Sequence, residues 1–138
     1  MEDRRPMVIA LIVALIWVWA TPTIQEPTKI IPIPIIKART KATMEEKRAN
    51  KQMAKEFAWA GYGWRGGQWA CIEKLFTAES RFDHFAKNKK STAYGIGQVL
   101  SEKSSDPAIQ ILRAYNYIRY RYDTPCRAWS WHKRTGHY

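Results

Sequence analysis

The sequence predicts a small, mainly α-helical domain that follows an apolar N-terminal segment and a proline-rich linker. Three observations support this prediction. The 138 residues are 46% hydrophobic and 13% aromatic, which is too apolar for a disordered chain. From residue 41 onwards, good helix formers and helical apolar spacing recur, and no stretch alternates as a half-buried strand does. The chain also has two cysteines, an even number that suits a single disulfide.

The balance of charge is strongly basic. The 23 Lys and Arg residues outnumber the 12 Asp and Glu residues, and the formal net charge is +11. Such a charge indicates a polyanionic partner, either nucleic acid, an anionic membrane surface or a cell wall with phosphate-rich polymers. Charge alone does not choose among these partners.

The N-terminus has the pattern of an export signal. Arg4 and Arg5 precede the uninterrupted apolar run 7–20. A membrane span needs about 20 apolar residues, and Pro22 follows almost at once. We therefore predict a signal peptide, or an uncleaved signal anchor, at 1–20. The protein would then be exported, either secreted or held in the cell wall or periplasm, with 7–20 as a membrane tether if uncleaved.

A linker is predicted to follow this segment. Prolines stand at positions 22, 27, 32 and 34, and they forbid a continuous helix. We assign the linker to 21–40 and the folded domain to 41–138. Because the chain is predicted to be exported, nucleic acid is not the expected partner.

The first two helices are separated by glycines. Residues 41–60 are rich in Ala, Lys, Glu, Met and Gln and predict a helix. The glycine-rich stretch 61–67 ends it, and a second helix is predicted from Gln68 to about Ser80. One face of this second helix is apolar except for its last member; the face comprises Ile72, Leu75, Phe76 and Glu79.

Glu79 is the candidate general acid. Burial disfavours the charged form of a carboxyl group and raises its pKa. A Glu with a pKa near 4.3 is about 0.2% protonated at pH 7, whereas one with a pKa of about 6 is about 10% protonated. The alternative is that Glu79, at a helix end, turns to solvent or caps a neighbouring backbone group.

The segment after Glu79 predicts a loop that approaches a ligand. Residues 80–88 are irregular, and 91–98 contain two glycines and end in Gln98. Gly95 allows the backbone to come close to a ligand, and the amide of Gln98 both donates and accepts hydrogen bonds. An ordinary glycine turn is the alternative.

A third helix begins at Asp106, a suitable N-cap, with Pro107 in the first helical position. The sequence Thr124-Pro125 is predicted to end it. Its core-facing stripe comprises Ile111, Tyr115, Ile118 and Tyr122.

The two cysteines are predicted to pair. In an oxidising compartment Cys71 and Cys126 form a disulfide by default, which would join the last segment to the helix of Glu79. The alternative is a nucleophilic Cys71 assisted by His84, His132 or His137. No metal or other cofactor is predicted, since the spacing of His132 and His137 misses a helical ligand pair and no further ligands cluster with them.

The ordered motifs resemble those of the soluble lytic transglycosylase domain, which has a goose-type lysozyme-like fold. The run from Trp69 to Ser80 is similar to that of short secreted versions in actinobacteria and their phages. The resemblance covers about residues 55–138. Its further motifs are Ala86-x-Asn88, Ser91, Ala93–Gln98, Asp106-Pro107-x-x-Gln110-Ile111, Tyr117–Trp129 and Gly136-x-Tyr138.

The resemblance implies a function and a set of site residues. The protein would cleave the β-1,4 bond between N-acetylmuramic acid and N-acetylglucosamine and leave 1,6-anhydro ends. Glu79 would be the single acid and base, with no cofactor. Five further residues would bind the glycan strand, namely Ser80, Tyr94, Gly95, Gln98 and Trp129.

Some features depart from the family pattern. The family has an Ala-Tyr-Asn motif near its C-terminus, for which Ala128-Trp129-Ser130 is the positional counterpart here. Gly97 replaces a bulkier residue. Asp83 stands where the family usually has Asn, and it would either cap a turn or position water for hydrolysis. A muramidase-type hydrolase and a non-catalytic wall-binding module are therefore alternatives.

Two basic clusters fit an anionic wall polymer as a further partner, although a solvated basic surface would have the same composition. The first is Lys87, Lys89 and Lys90, and the second is Arg127, Lys133 and Arg134.

Overall fold

A computed structural model describes residues 39 to 138 of the chain. The predicted signal segment at 1–20 and the linker at 21–40, apart from its last two residues, lie outside this described part. Within it, four α-helices follow one another and no strand is formed, so the predicted mainly helical class is confirmed. The helices are α1 (Met44–Tyr62), α2 (Gly67–Glu79), α3 (Pro107–Tyr122) and α4 (Pro125–Thr135).

Both ends of α1 are fixed by local signals. Thr43 caps α1 and accepts a hydrogen bond from the backbone N–H of Glu46, whose side chain in turn accepts from the Thr43 backbone. Gly63 ends α1 in the left-handed conformation, with φ of +66°. These boundaries confirm the two predicted helices and the glycine break between them.

The third helix begins as predicted, because Asp106 accepts a hydrogen bond from the backbone of Ala108 at 2.8 Å. The sequence analysis did not identify α4 as a helix. The signals were present, since Pro125 occupies its first turn and Gly136 ends it with φ of +78°. This helix has only 11 residues and is mainly polar, so its apolar face is narrow and was overlooked in the sequence.

The core is formed by side chains from all four helices, and the largest of them come from α2 and α3. The stripe of α2 is buried at Ile72, Leu75 and Phe76. Tyr115 of α3 stacks against Phe76 with ring centroids 5.7 Å apart, and its hydroxyl donates to the backbone oxygen of Ala54 at 2.7 Å. Both apolar stripes therefore face the core as predicted, with Tyr122 partly buried at the edge of its stripe.

A disulfide joins Cys71 of α2 to Cys126 of α4, with their Cα atoms 5.0 Å apart. The predicted pairing is confirmed, and the alternative of a nucleophilic Cys71 is wrong because that sulfur is not a free thiol. The backbone N–H of Cys126 also donates to the side-chain oxygen of Gln68 at 3.1 Å. The starts of α2 and α4 are thus held together.

The loop between α2 and α3 is organised by one buried side chain, Gln110. Its oxygen accepts from the backbone of Ile96 at 2.9 Å. Its nitrogen donates to the backbone oxygens of His84 and Ser104, at 2.9 and 2.6 Å. An amide on α3 therefore fixes three separate points of the loop that carries the candidate site residues.

None of the helices within residues 39 to 138 combines the length and the apolar character required to cross a bilayer.

Candidate functional site

A cleft of about 770 Å³ opens at the C-terminal end of α2. Three of the site residues predicted from the sequence line it, namely Glu79, Ser80 and Tyr94. The loop after α2 and the segment before α1 supply most of the remaining walls. The other lining residues are Arg39, Thr40, Lys41, Lys47, Ala78, Arg81, Asp83, Phe85, Ala86 and Lys87.

Glu79 is the last residue of α2, and its side chain is only 15% exposed. Burial raises the pKa of this carboxyl group from its ordinary value of 4.5 to about 7. A pKa in this range allows the carboxyl group of Glu79 to hold a proton at neutral pH. The alternative, in which Glu79 turns to solvent, does not hold.

His132 of α4 lies against Glu79, which the sequence analysis did not foresee. Its Nε2 is 3.2 Å from Oε1 of Glu79, and its side chain is equally little exposed. Its ring stacks on Trp129, with centroids 5.4 Å apart and planes 17° apart. Burial and, secondarily, His137 lower the pKa of His132, which favours a neutral imidazole beside the carboxyl group.

Ser80 connects the end of α2 to the loop. Its hydroxyl donates to the backbone oxygen of Ile96 at 2.7 Å. The resemblance to transglycosylases assigns Ser80 to substrate orientation, and this stays a prediction. What the structure adds is that Ser80 holds the loop against the helix that carries Glu79.

Asp83 lies on the wall of the same cleft, yet its carboxylate is already occupied. Oδ1 accepts from the backbone N–H groups of Ala42 and Phe85, at 3.1 and 2.9 Å. Oδ2 is 3.3 Å from Nζ of Lys47. The bond to Phe85, two residues on, is that of a turn-capping aspartate, which is the first of the two roles expected for Asp83.

Gly95 lies next to the cleft and is packed against α3. Its φ is +78°, and a Cβ at this position would come 2.3 Å from the side chain of Gln110. Only glycine adopts this positive φ without strain and also leaves room for the side chain of Gln110. This packing explains the residue type, while the contact of Gly95 with a substrate stays a prediction.

Gln98 does not line the cleft. Its side-chain nitrogen donates to the backbone oxygens of Ala86 and Gly95, at 3.0 and 2.8 Å. It faces a small cavity of about 170 Å³ that it shares with Gly97 and Tyr138, among others. The amide thus closes the loop in this structure, and its predicted contact with a substrate remains untested.

Gly97, which replaces a bulkier residue of the family pattern, is buried between α3 and the C-terminus. A Cβ here would lie 2.4 Å from Cβ of Ala114 and 2.9 Å from the hydroxyl of Tyr138. That hydroxyl donates to the backbone oxygen of Gly97 at 2.8 Å. The departure therefore allows the last residue of the chain to close against the loop.

Trp129 lines a neighbouring cleft of about 510 Å³, which adjoins the first because Ala78 lines both. On another side, a cleft of about 460 Å³ shares Lys87 and Tyr94 with the first. We call these three adjoining clefts the groove, and Glu79 lines the one that adjoins both of the others. Such a groove has room for a polymer longer than one sugar.

Among residues 39 to 138, no group of three or more His, Cys, Asp or Glu side chains is arranged to hold a metal ion. Comparison of the chain with protein-family models, with curated proteins and with solved structures finds no significant match. The functional assignment therefore depends on the residues of the groove.

Proposed function

We propose that the protein is a peptidoglycan lytic transglycosylase with a lysozyme-like domain. It would cleave the β-1,4 bond between N-acetylmuramic acid and N-acetylglucosamine and leave 1,6-anhydro-muramoyl ends. The observation that carries the proposal is a carboxyl group, that of Glu79, which lies in the wall of a cleft with a pKa raised to about 7. A general acid works best when its pKa is near the operating pH.

The chemistry needs one group that gives and then takes a proton. Protonated Glu79 donates to the bridging oxygen as the glycosidic bond breaks, and the acetamido group of the substrate stabilises the cationic sugar. The resulting carboxylate takes the proton of the muramoyl 6-hydroxyl, whose oxygen bonds to C1 and closes the ring. Glu79 ends the cycle protonated, so that no second carboxylate and no water are consumed.

The contacts of Asp83 support a lyase over a hydrolase. A hydrolase normally uses a second carboxylate as a nucleophile or to activate water. In this cleft the second carboxylate accepts two backbone hydrogen bonds and faces Lys47. Because these partners occupy both oxygens of Asp83, the carboxylate is engaged in holding the loop rather than in positioning a water molecule.

The groove and the charge support a glycan strand as the partner. Lys87 lines two of the adjoining clefts, and Lys89 and Lys90 are exposed beside them. Arg127 and Arg134 line a separate groove with Trp131. We propose anionic wall polymers as a further partner. We also propose that the protein is exported to the cell wall or periplasm. The proposed signal segment and the tether at 7–20 lie outside residues 39–138.

The test is the product of the reaction. Purified peptidoglycan incubated with the protein should release muropeptides whose masses are those of 1,6-anhydro ends, 18 Da below the reducing products because no water is added. Reducing ends would show a muramidase instead. No release, with retained binding to peptidoglycan in a pull-down, would show a wall-binding module and refute both enzymatic proposals.

The rate should fall on the alkaline side of neutrality. The acid form of Glu79 is lost as pH rises through about 7. We therefore expect kcat/KM to decrease about tenfold between pH 8 and pH 9. The measurement is the rate of turbidity loss of a peptidoglycan suspension across pH 5 to 9. A rate that instead rises through this range would contradict the role of Glu79 as an acid.

A further inference from the structure

The contact between Glu79 and His132 is held by the two helices that carry them. The disulfide joins α2 and α4 near their starts, at Cys71 and Cys126. Glu79 lies eight residues after Cys71 and His132 six residues after Cys126, which are rises of about 12 and 9 Å along the two helices. The helices therefore run side by side, and the facing pair lies toward their C-terminal ends.

The position of His132 is also fixed from its own helix. The near-parallel stack on Trp129 limits rotation of the imidazole, and the exposed fraction of its side chain is only 15%. Its Nε2 lies 3.2 Å from one oxygen of the carboxyl group, Oε1. The other oxygen of Glu79, Oε2, is outside this contact.

We propose that His132 is a positioning residue for Glu79: its Nε2–H donates to Oε1, so that Oε2 carries the transferable proton toward the cleft. This inference rests on the proposed function and adds a residue to it. A neutral imidazole has one N–H and one acceptor nitrogen, and the proposal assigns the hydrogen to Nε2. The lowered pKa of His132 agrees with a neutral ring at pH 7.

The strength of the proposed hydrogen bond changes with the protonation state of Glu79 during the reaction. When Glu79 is protonated on Oε2, Oε1 is a neutral carbonyl oxygen and accepts a modest bond. Once the proton has passed to the bridging oxygen, Oε1 shares the negative charge and the bond becomes charge-assisted, which roughly doubles its strength. His132 keeps its own proton throughout, and the carboxylate regains its proton from the 6-hydroxyl.

The titratable groups around this pair come from two other parts of the fold. His137, in the C-terminal segment, contributes to the lowered pKa of His132. Tyr138 follows it, and its hydroxyl is held by the backbone of Gly97. Lys47 of α1 reaches the same cleft but faces Asp83. Burial and, secondarily, Glu79 raise the pKa of Tyr138, so its hydroxyl is a neutral third group beside the contact between Glu79 and His132.

Two substitutions separate a positioning role from a packing role. His132→Phe keeps a ring that can stack on Trp129 but has no N–H, whereas His132→Gln keeps a side-chain N–H. Glu56→Gln is the control, because Glu56 is exposed on α1 and its carboxylate contacts Gln52, outside the groove. Folding of each variant is checked by circular dichroism and thermal unfolding.

We expect His132→Phe to lower kcat for peptidoglycan about 10- to 100-fold with little change in KM, as loss of a hydrogen bond to a charged group does. It should also shift the alkaline limb of the pH profile upward, because the carboxylate loses a donor and the pKa of Glu79 rises. His132→Gln should recover most of kcat. A His132→Phe variant with the kcat of the unmodified protein, or with a change in KM alone, would overturn the proposal.

A second readout does not depend on activity. The carboxyl group of Glu79 can be titrated by NMR in the folded chain labelled at glutamate, and His132→Phe should raise its pKa above about 7. An unchanged titration would overturn the proposed contact. If the unmodified protein releases no muropeptides, the proposed function fails, while this titration still decides whether His132 donates to Glu79.

Discussion

Replacement of Glu79 by Gln is expected to abolish lysis of peptidoglycan while the protein remains folded and bound to the wall. Gln has nearly the same shape as protonated Glu but cannot give up a proton to the bridging oxygen. General acid–base catalysis contributes about 100- to 10,000-fold, so kcat should fall by at least that range, since one group serves both steps. Release of soluble muropeptides, quantified by chromatography, measures the effect.

Stability provides the internal control for this variant. The pKa of Glu79 is raised in the folded state, so ionisation of the buried carboxyl group destabilises the fold as pH rises from about 4.5 through 7. Gln does not ionise. The variant should therefore be more stable than the unmodified protein at pH 8 to 9, by on the order of 3 kcal/mol, and equally stable at acid pH.

Glu56→Gln is the matched substitution outside the groove. Glu56 is exposed on α1, where it accepts a hydrogen bond from Gln52. This variant should release muropeptides at the rate of the unmodified protein. Release at an undiminished rate by Glu79→Gln would show that another group donates the proton, and it would remove the main support for the proposed function.

Periodicity predicted the helix of Glu79 and its buried face because both are properties of neighbouring residues on one element. Ile72, Leu75 and Phe76 are fully buried, and Glu79 continues their stripe. The same spacing therefore placed a carboxyl group where burial raises its pKa to about 7. Local sequence was sufficient for the part of the site that one helix carries.

The parts that were not predicted depend on contacts between distant segments. His132 reaches Glu79 because α4 packs beside α2, and a single sequence does not show which faces of two helices meet. Gln98 could be recognised as an amide in a glycine-rich loop. However, its hydrogen bonds to Ala86 and Gly95 arise from the closure of that loop. The sequence also left two roles open for Asp83, and the choice between them depends on its backbone and lysine partners.

Removal of the disulfide, by Cys71→Ala together with Cys126→Ala, is expected to cause the largest loss of stability. The crosslink spans a sequence separation of 55 residues, and in the chain-entropy model a loop of that length contributes about 4 kcal/mol to the free energy of unfolding. A small domain has little stability to lose. We expect the melting temperature to fall by on the order of 20 °C, since each kcal/mol shifts it by several degrees in a domain of this size.

Reduction of the unmodified protein is the matched control for this pair of substitutions. Thermal unfolding in a strong reductant should approach the melting temperature of the double variant, whereas the double variant itself should not respond to reductant. Because the disulfide also holds the starts of α2 and α4 together, activity at low temperature should decline when it is removed, as Glu79 and His132 lose their fixed separation. A double variant that melts within about 5 °C of the unmodified protein, a shift of roughly 1 kcal/mol, would show that packing between the two helices, rather than the crosslink, sets their arrangement.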